Sequence, residues 1–309
     1  MTGTAEQPVL PPGANRSDDL PRAVSYMLLV ALFIPLLNAS AKFLTAEYPV
    51  MEVVWARYAG HFLFMVLVFA PRLGTRLFVA SRPVLQIVRS LLLCISSVIF
   101  IFALKYVPLT TATAMSFTGP FMVTALAPVL LGERVGWARW AFVAVGFAGA
   151  VIILRPGSEG MNAAAFLLLG SALSSALYQI MSRKLAAFDR VEVSITYTAL
   201  AGFVVTSIPL PFIWVTPHSP RDWLLFAGLG LFGGFGHYFL QRAFELAPAP
   251  FVSPFNYLGL VGAALLSVVV FGQFPDLWVW VGAFIIAASG ILMLLYEHRR
   301  RLRAGPGTT

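Results

Sequence analysis

DWLLFAGLGLFGGFGHYFLQRAFE, residues Asp222–Glu245, contains a G-x-G-x-x-G string at Gly228, Gly230 and Gly233. In a nucleotide-binding domain such a string follows a β-strand and opens a helix, with an acidic residue about twenty positions later on the ribose. Here the glycines lie within one continuous apolar run, long enough to cross a bilayer as a helix. The fingerprint is accidental. Glycine in a bilayer helix removes side-chain bulk and lets neighbouring backbones approach closely. Gly230, Gly234, His237 and Gln241 recur at helical spacing and share one face, so a smooth stripe leads to two polar side chains.

The rest of the chain has the same character. Of its 309 residues, 59% are hydrophobic and 11% charged, against about 25% charged in soluble domains. Charge-free stretches run from Ala23 to Ala41, Tyr106 to Gly132, Gly160 to Ser182, Val193 to Pro220, Leu246 to Pro275 and Leu277 to Tyr296. Each can span a hydrocarbon core of about 30 Å. The pattern predicts an all-α membrane protein with ten transmembrane helices, near residues 22–44, 51–70, 83–105, 109–131, 137–154, 162–184, 192–214, 222–245, 251–271 and 277–296. Residues 1–21 are polar and proline-rich without the basic start of a signal peptide, and read as a disordered cytoplasmic tail. Cys94 stands alone in an apolar run and reads as a small core residue.

Charge placement sets the expected orientation. With both termini cytoplasmic, fourteen Lys and Arg fall on that side, including Arg72, Arg76, Arg82, Arg134, Arg139 and the basic tail 299–309. Only Lys42, Lys105, Arg155 and Arg221 fall on the other. This is the positive-inside signature. The net charge of +8 therefore speaks for anionic lipid heads as partners, and against nucleic acid.

A shift of 140 residues aligns the chain with itself: Ala103, Pro108, Gly119, Gly132 and Trp140 fall on Ala243, Pro248, Gly259, Gly272 and Trp280, and Glu52 falls on Glu192. One five-helix unit occurs twice, at 22–157 and 158–298. Five being odd, the second copy enters the bilayer from the opposite face, giving two inverted five-helix repeats. Inverted repeats are a recurrent way to build transporters that bind a solute near the midplane.

Polar side chains set into the spans mark candidate binding residues, because each needs a partner or water in hydrocarbon. They are Asn38, Arg89, Tyr178, Gln179, His237, Gln241, Asn256 and Tyr257. Single serines in these helices more often bond their own helix carbonyls. Arg57, with His61 one turn on, fits gating, binding of an anionic group or snorkelling. Arg89 fits either helix-to-helix glue or substrate contact, and Arg242 has Glu245 three residues on as a partner. Gly119 and Pro120 in SFTGPF, and Pro254 and Gly259 in SPFNYLG, interrupt equivalent spans. They predict bends that serve either movement or packing, as do the close-packing Gly230 and Gly234.

ALKYVPLTT…VIILRPG (103–157) and APAPFVSPFNYLG…GILML (247–294) resemble the two copies of the EamA repeat of the drug/metabolite transporter superfamily. WARYAGHFLF around Arg57, VRSLLLCISSVIFIFALKY around Arg89, and FIWVTPHSPRDW are similar to the branch holding S-adenosylmethionine uptake proteins and bacterial riboflavin transporters. The resemblance covers residues 22–298. It implies a multi-pass carrier of the bacterial inner membrane with a central cavity framed by helices 1, 3, 4, 6, 8 and 9, and a small-molecule metabolite as substrate. Phe117, Tyr178, Tyr238 and Tyr257 fall on that frame, where aromatic rings can stack on a flat heteroaromatic solute such as riboflavin or S-adenosylmethionine. The same architecture serves importers and exporters. Gln273 stands where the second copy usually has glutamate, the first having Glu133.

No phosphate-binding loop G-x-x-x-x-G-K-[ST] is present, so movement of solute is expected to be secondary, with no cofactor. No Asp or Glu lies deep in a span, leaving His61 and His237 as proton carriers or facilitated movement as the mode. A membrane enzyme would need convergent carboxylates or a metal cluster, which four dispersed histidines and one cysteine do not supply.

Overall fold

The computed structural model describes residues 19–132, 135–157, 163–247 and 249–304. Among these the chain is helical throughout, with no strand. The elements are α1 (Leu20–Leu44), α2 (Val50–Leu73), α3 (Pro83–Leu104), α4 (Leu109–Ser116), α5 (Gly119–Leu131), α6 (Trp137–Leu154), α7 (Ala163–Leu185), α8 (Val191–Ser207), α9 (Leu210–Ile213), α10 (Pro220–Leu246), α11 (Ala249–Val252), α12 (Leu258–Val269) and α13 (Leu277–Ala304). Short 3-10 turns occupy Gly74–Phe78 and Ser253–Tyr257. Eight segments are long and apolar enough to cross a membrane, and Val191–Ser207 and Pro254–Val269 are shorter apolar helices.

Local chemistry explains most boundaries. Proline opens α3 and α10, where its missing N–H and fixed φ suit the first turn. Ser219 and Asp222 form a reciprocal capping box at the start of α10, with Ser219 Oγ accepting from the Asp222 N–H at 3.2 Å and Asp222 Oδ2 accepting from the Ser219 N–H at 3.1 Å. Three boundaries differ from the sequence expectation. The span expected at 109–131 is divided at Phe117–Thr118 into α4 and α5 by a tightened turn, where both residues keep right-handed helical backbone and bond three residues back, because Pro120 lacks the N–H that would continue the ladder. The span expected at 192–214 stops at Ser207 and resumes as the single turn α9, as Pro209 and Pro211 remove successive donors. The last helix runs on through the basic segment to Ala304.

The packing repeats as the sequence does. α1 packs on α10, and their equivalents α7 and α3 pack together. α2 packs on α10 as α8 packs on α3, and α1 on α12 as α7 on α5. α2 with α8 and α6 with α13 are each their own equivalents. Side chains repeat the exchange: a Cβ on Gly149 of α6 would stand 2.8 Å from the carbonyl oxygen of Gly282 in α13. At the two positions related to these by the 140-residue shift, Ser289 Oγ donates to the Phe142 carbonyl at 2.8 Å.

Contacts sort the helix ends into two groups. At one end Arg139 pairs with Glu297 at 2.9 Å, the Ser81 N–H donates to Asp189 Oδ1 at 2.6 Å and the Asp19 N–H donates to the Leu246 carbonyl at 3.2 Å. At the other, Lys42 Nζ donates to the carbonyls of Leu104 at 3.0 Å and Val107 at 2.6 Å. Tyr48 donates to Asp222 at 3.0 Å, and Arg155 pairs with Asp276. Buried Tyr48, Glu52 and Asp222 close this second end beside α2 and α10.

Candidate functional site

Small residues create the first part of the site. A Cβ on Gly60 of α2 would lie 2.5 Å from Gly230 Cα of α10, and one on Gly234 would lie 2.7 Å from the Phe64 ring, so only glycine permits this backbone approach. The approach sets His61 and His237 parallel, with ring centroids 5.5 Å apart and an interplanar angle of 8°. His61 is only 6% exposed, and its Nε2 has no hydrogen-bond partner among the described residues. Arg57 stands half-buried one turn earlier on the same helix as His61. From His61 a cleft of about 200 Å³ leads to the helix ends, lined by Met65, Phe69 and Arg72 of α2, Val191, Glu192 and Ile195 of α8, and Gly234, Tyr238 and Arg242 of α10. Tyr238 packs edge-on against Phe64 at 6.4 Å and beside Phe69 at 6.2 Å. The side chain of Gln241 lies outside the described residues.

The equivalent seam, between α8, α2 and α3, is filled at its centre by bonded side chains, while beside it a cavity of about 260 Å³ lies between α3 and α7, lined by Arg82, Leu85, Met181, Lys184, Leu185 and Phe188. Gln86 Nε2 donates to Asp189 Oδ2 at 2.8 Å and to Ser194 Oγ at 2.9 Å. Arg89, 3% exposed, donates to the Ser194 carbonyl at 2.7 Å and to Thr198 Oγ1, and its guanidinium stands 4.8 Å from the Tyr178 ring centre. Of the two roles open to Arg89 in the sequence, these bonds account for helix-to-helix glue. Tyr58 shares a 3.0 Å hydrogen bond with Ser97, and Ser96 and Ser171 each donate to the other's carbonyl at 2.8 Å. Outside the spans, burial would raise the Asp189 carboxyl, but hydrogen bonds from Gln86 and Ser81 hold it below the ordinary carboxylate range.

Between the halves lies the third part. Phe117, at the break between α4 and α5, meets Tyr257, at the 3-10 turn before α12, with ring centroids 4.7 Å apart. These two residues are equivalent under the 140-residue shift. The Tyr257 hydroxyl fills the space where a Cβ on Gly290 would stand. Gln179 is exposed, with Ser175 Oγ 3.5 Å away, and its Nε2 lies 3.8 Å from where a Cβ on Gly119 would be. Asn38 and Asn256 are half-buried and their side chains make no hydrogen bond among the described residues, so their amides are left for water or solute. A Cβ on Gly259 would meet nothing within 4 Å, so close packing is not what that glycine provides. Pro120 is exposed and Pro254 half-buried, each at its helix break.

The structure thus gathers Phe117 with Tyr257, Gln179 with Gly119, Tyr178 with Arg89, and Arg57 with His61 and His237. It places Tyr238 in the cleft rather than against the Phe117–Tyr257 pair. Tyr58, Arg72, Glu192 and Arg242 were not singled out as binding residues from the sequence. Their signal was the clustering of Arg72, Glu192 and Arg242 at span ends of the same expected side. Among the described residues no group of three or more His, Cys, Asp or Glu is arranged to hold a metal ion.

Comparison with known proteins is consistent across the whole length. The sequence profile of the EamA-like transporter family matches residues 21–155 and 162–295. An S-adenosylmethionine uptake transporter of Rickettsia prowazekii is 30% identical over 280 residues, spanning 90% of this chain and 94% of its own. A riboflavin transporter of Rhizobium johnstonii is 32% identical over 278 residues, with 89% and 91% covered. A pseudopaline exporter of Pseudomonas aeruginosa is 28% identical over 280 residues, with 89% and 97% covered. A solved crystal structure shares the fold with a TM-score of 0.61 at 18% identity, covering 92% of this chain and 99% of that one.

Proposed function

Because this chain belongs to the EamA-like transporter family, we propose that it is a secondary transporter taking up a small heteroaromatic metabolite across the bacterial inner membrane by alternating access. In this reading the eight long apolar segments and the two shorter ones all cross the bilayer, making ten helices in two inverted five-helix repeats with both termini cytoplasmic. The end that holds the cleft faces the cytoplasm and the opposite end faces outward.

The observation that carries the reading is the meeting of Phe117 with Tyr257 at 4.7 Å. Two repeat-equivalent rings touch where two repeat-equivalent helices are interrupted, at the junction of the halves. Interrupted helices at a repeat interface are where transporters of this build bind solute. Flat side chains there suit a flat ring system, with Tyr178, Gln179, Asn38 and Asn256 offering polar groups around it. Relatives named for S-adenosylmethionine uptake and riboflavin transport support that class of solute. The relative named as an exporter favours a second reading, in which the same machine moves its solute outward.

The test is uptake, efflux and counterflow in proteoliposomes against riboflavin, S-adenosylmethionine and a panel of amino acids. Saturable movement with counterflow of one of the first two is expected, and Asn256→Leu should slow it without preventing insertion. If no compound moves in either direction, the transport reading falls.

A further inference from the structure

Arg57 lies seven residues into α2, about 10 Å along the helix at 1.5 Å per residue. It has neither a hydrogen bond nor an ion pair among the described residues, and its guanidinium stands 5.9 Å from the Tyr58 ring. A cation left so inside a bilayer bundle is costly. Two buried cations hold protein partners, Lys42 two carbonyls and Arg89 the Ser194 carbonyl and Thr198 hydroxyl, with Arg89 Nε left over. Half-buried Arg57 differs from both in having no hydrogen-bond partner among the described residues.

Its surroundings point to what would satisfy it. His61 is buried with Nε2 unpartnered, and His237 lies parallel to it, so ring N–H donors accompany the guanidinium. The cleft that leads inward to His61 is lined at its mouth by Arg72, Arg242 and Glu192, so an anion entering it meets guanidinium groups. At about 200 Å³ it is smaller than the roughly 300–1,000 Å³ of pockets that enclose whole ligands. It has room for one end of a metabolite.

We propose that Arg57, His61 and His237 form an anion-recognition site that takes the carboxylate or phosphate end of the solute through the cleft between α2, α8 and α10. The assignment rests on the transport reading above and adds to it that the solute is anionic at one end. Arg57 supplies the counter-charge and a planar set of donors, and the histidines supply ring N–H donors.

A lipid phosphate could reach the same cleft mouth, so the test separates the two sources. The full chain, labelled with ¹⁵N-histidine, is placed in nanodiscs of phosphatidylcholine alone or with phosphatidylglycerol, and inorganic phosphate or acetate is titrated in. In phosphatidylcholine discs the ring signals of His61 and His237 should shift saturably while those of His218 and His298 do not. Arg57→Gln should weaken the apparent affinity by about tenfold or more, and Arg57→Lys by less. Signals that move only with phosphatidylglycerol would assign the site to lipid and overturn the proposal, as would shifts equal at all four histidines. Solute movement is measured separately in vesicles. Movement without a histidine response sinks the anion site and leaves transport standing, whereas a saturable response without movement of any compound does the reverse.

Discussion

The two halves present the same helix seam twice with different chemistry. Along α2 and α10 stand Arg57, His61, Arg72, His237, Tyr238 and Arg242, and the equivalent positions of α8, α9 and α3 hold Tyr197, Ala201, Phe212, Ser97, Val98 and Phe102. The first set borders a cleft of about 200 Å³. In the second seam the interior is occupied by the Tyr58–Ser97 hydrogen bond and the bonds of Arg89. Even the shared glutamates diverge: Glu192 lines the cleft, while its counterpart Glu52 is fully buried and accepts the Val215 N–H at 3.0 Å. Packing geometry is common to the two halves, whereas the paired imidazoles belong to one. A carrier with two alternating mouths needs both to open, but only one needs to recognise charge.

The largest expected effect breaks the comparison at its two arginines. Arg89→Leu removes charge-assisted bonds to the Ser194 carbonyl and the Thr198 hydroxyl, a loss of about 3 kcal/mol. Arg57→Leu removes a cation with no partner to lose, so stability should hold or rise while solute movement fails. Thermal unfolding in detergent, paired with transport in vesicles, reads both. Equal destabilisation by the two substitutions would erase the distinction between the bonded seam and the binding seam.

The Tyr58–Ser97 bond sharpens the comparison at about 1 kcal/mol. Tyr58→Phe keeps the ring that packs against Gly202 and deletes one buried hydrogen bond, whose net worth is about 1 kcal/mol. The unfolding midpoint should fall slightly, and the response of His61 and His237 to phosphate should not change. A lost response would mean the filled seam also shapes the cleft.

Much of the helical framework was legible in the sequence because a bilayer helix needs an unbroken apolar run, and charge marks its ends. The repeat was legible as well, since Gly132 and Gly272, with φ of 69° and 61°, end equivalent segments. Pro120 announced an interruption but not its extent, because whether a proline bends or breaks a helix depends on what packs beside it. Arg89 could not be assigned to glue from sequence, since Ser194 and Thr198 lie more than a hundred positions away. The cleft escaped for the same reason. Arg242 has an acidic neighbour in its own helix, and nothing local relates it to Arg72 or Glu192, which only tertiary packing brings to one wall.

The smallest effect tests the rim of the bonded seam, where Asp189 accepts from the Ser81 N–H at 2.6 Å and Gln86 at 2.8 Å. The cleft seam has no such clasp, because Pro49 and Phe226 stand at the positions equivalent to Asp189 and Gln86. Hydrogen bonding holds the folded Asp189 carboxyl below its ordinary range. Its contribution to stability is therefore present above the unfolded value of about 3.9 and lost as pH falls through the lower folded value. Asp189→Asn should lower the unfolding midpoint at neutral pH, and the gap to the unaltered protein should close as both are taken below about pH 4. The carboxylate is partly solvated, so the gap will be small. A gap of constant size across that range would show that the clasp works by shape rather than by charge, and that the two seams differ at this rim only in packing.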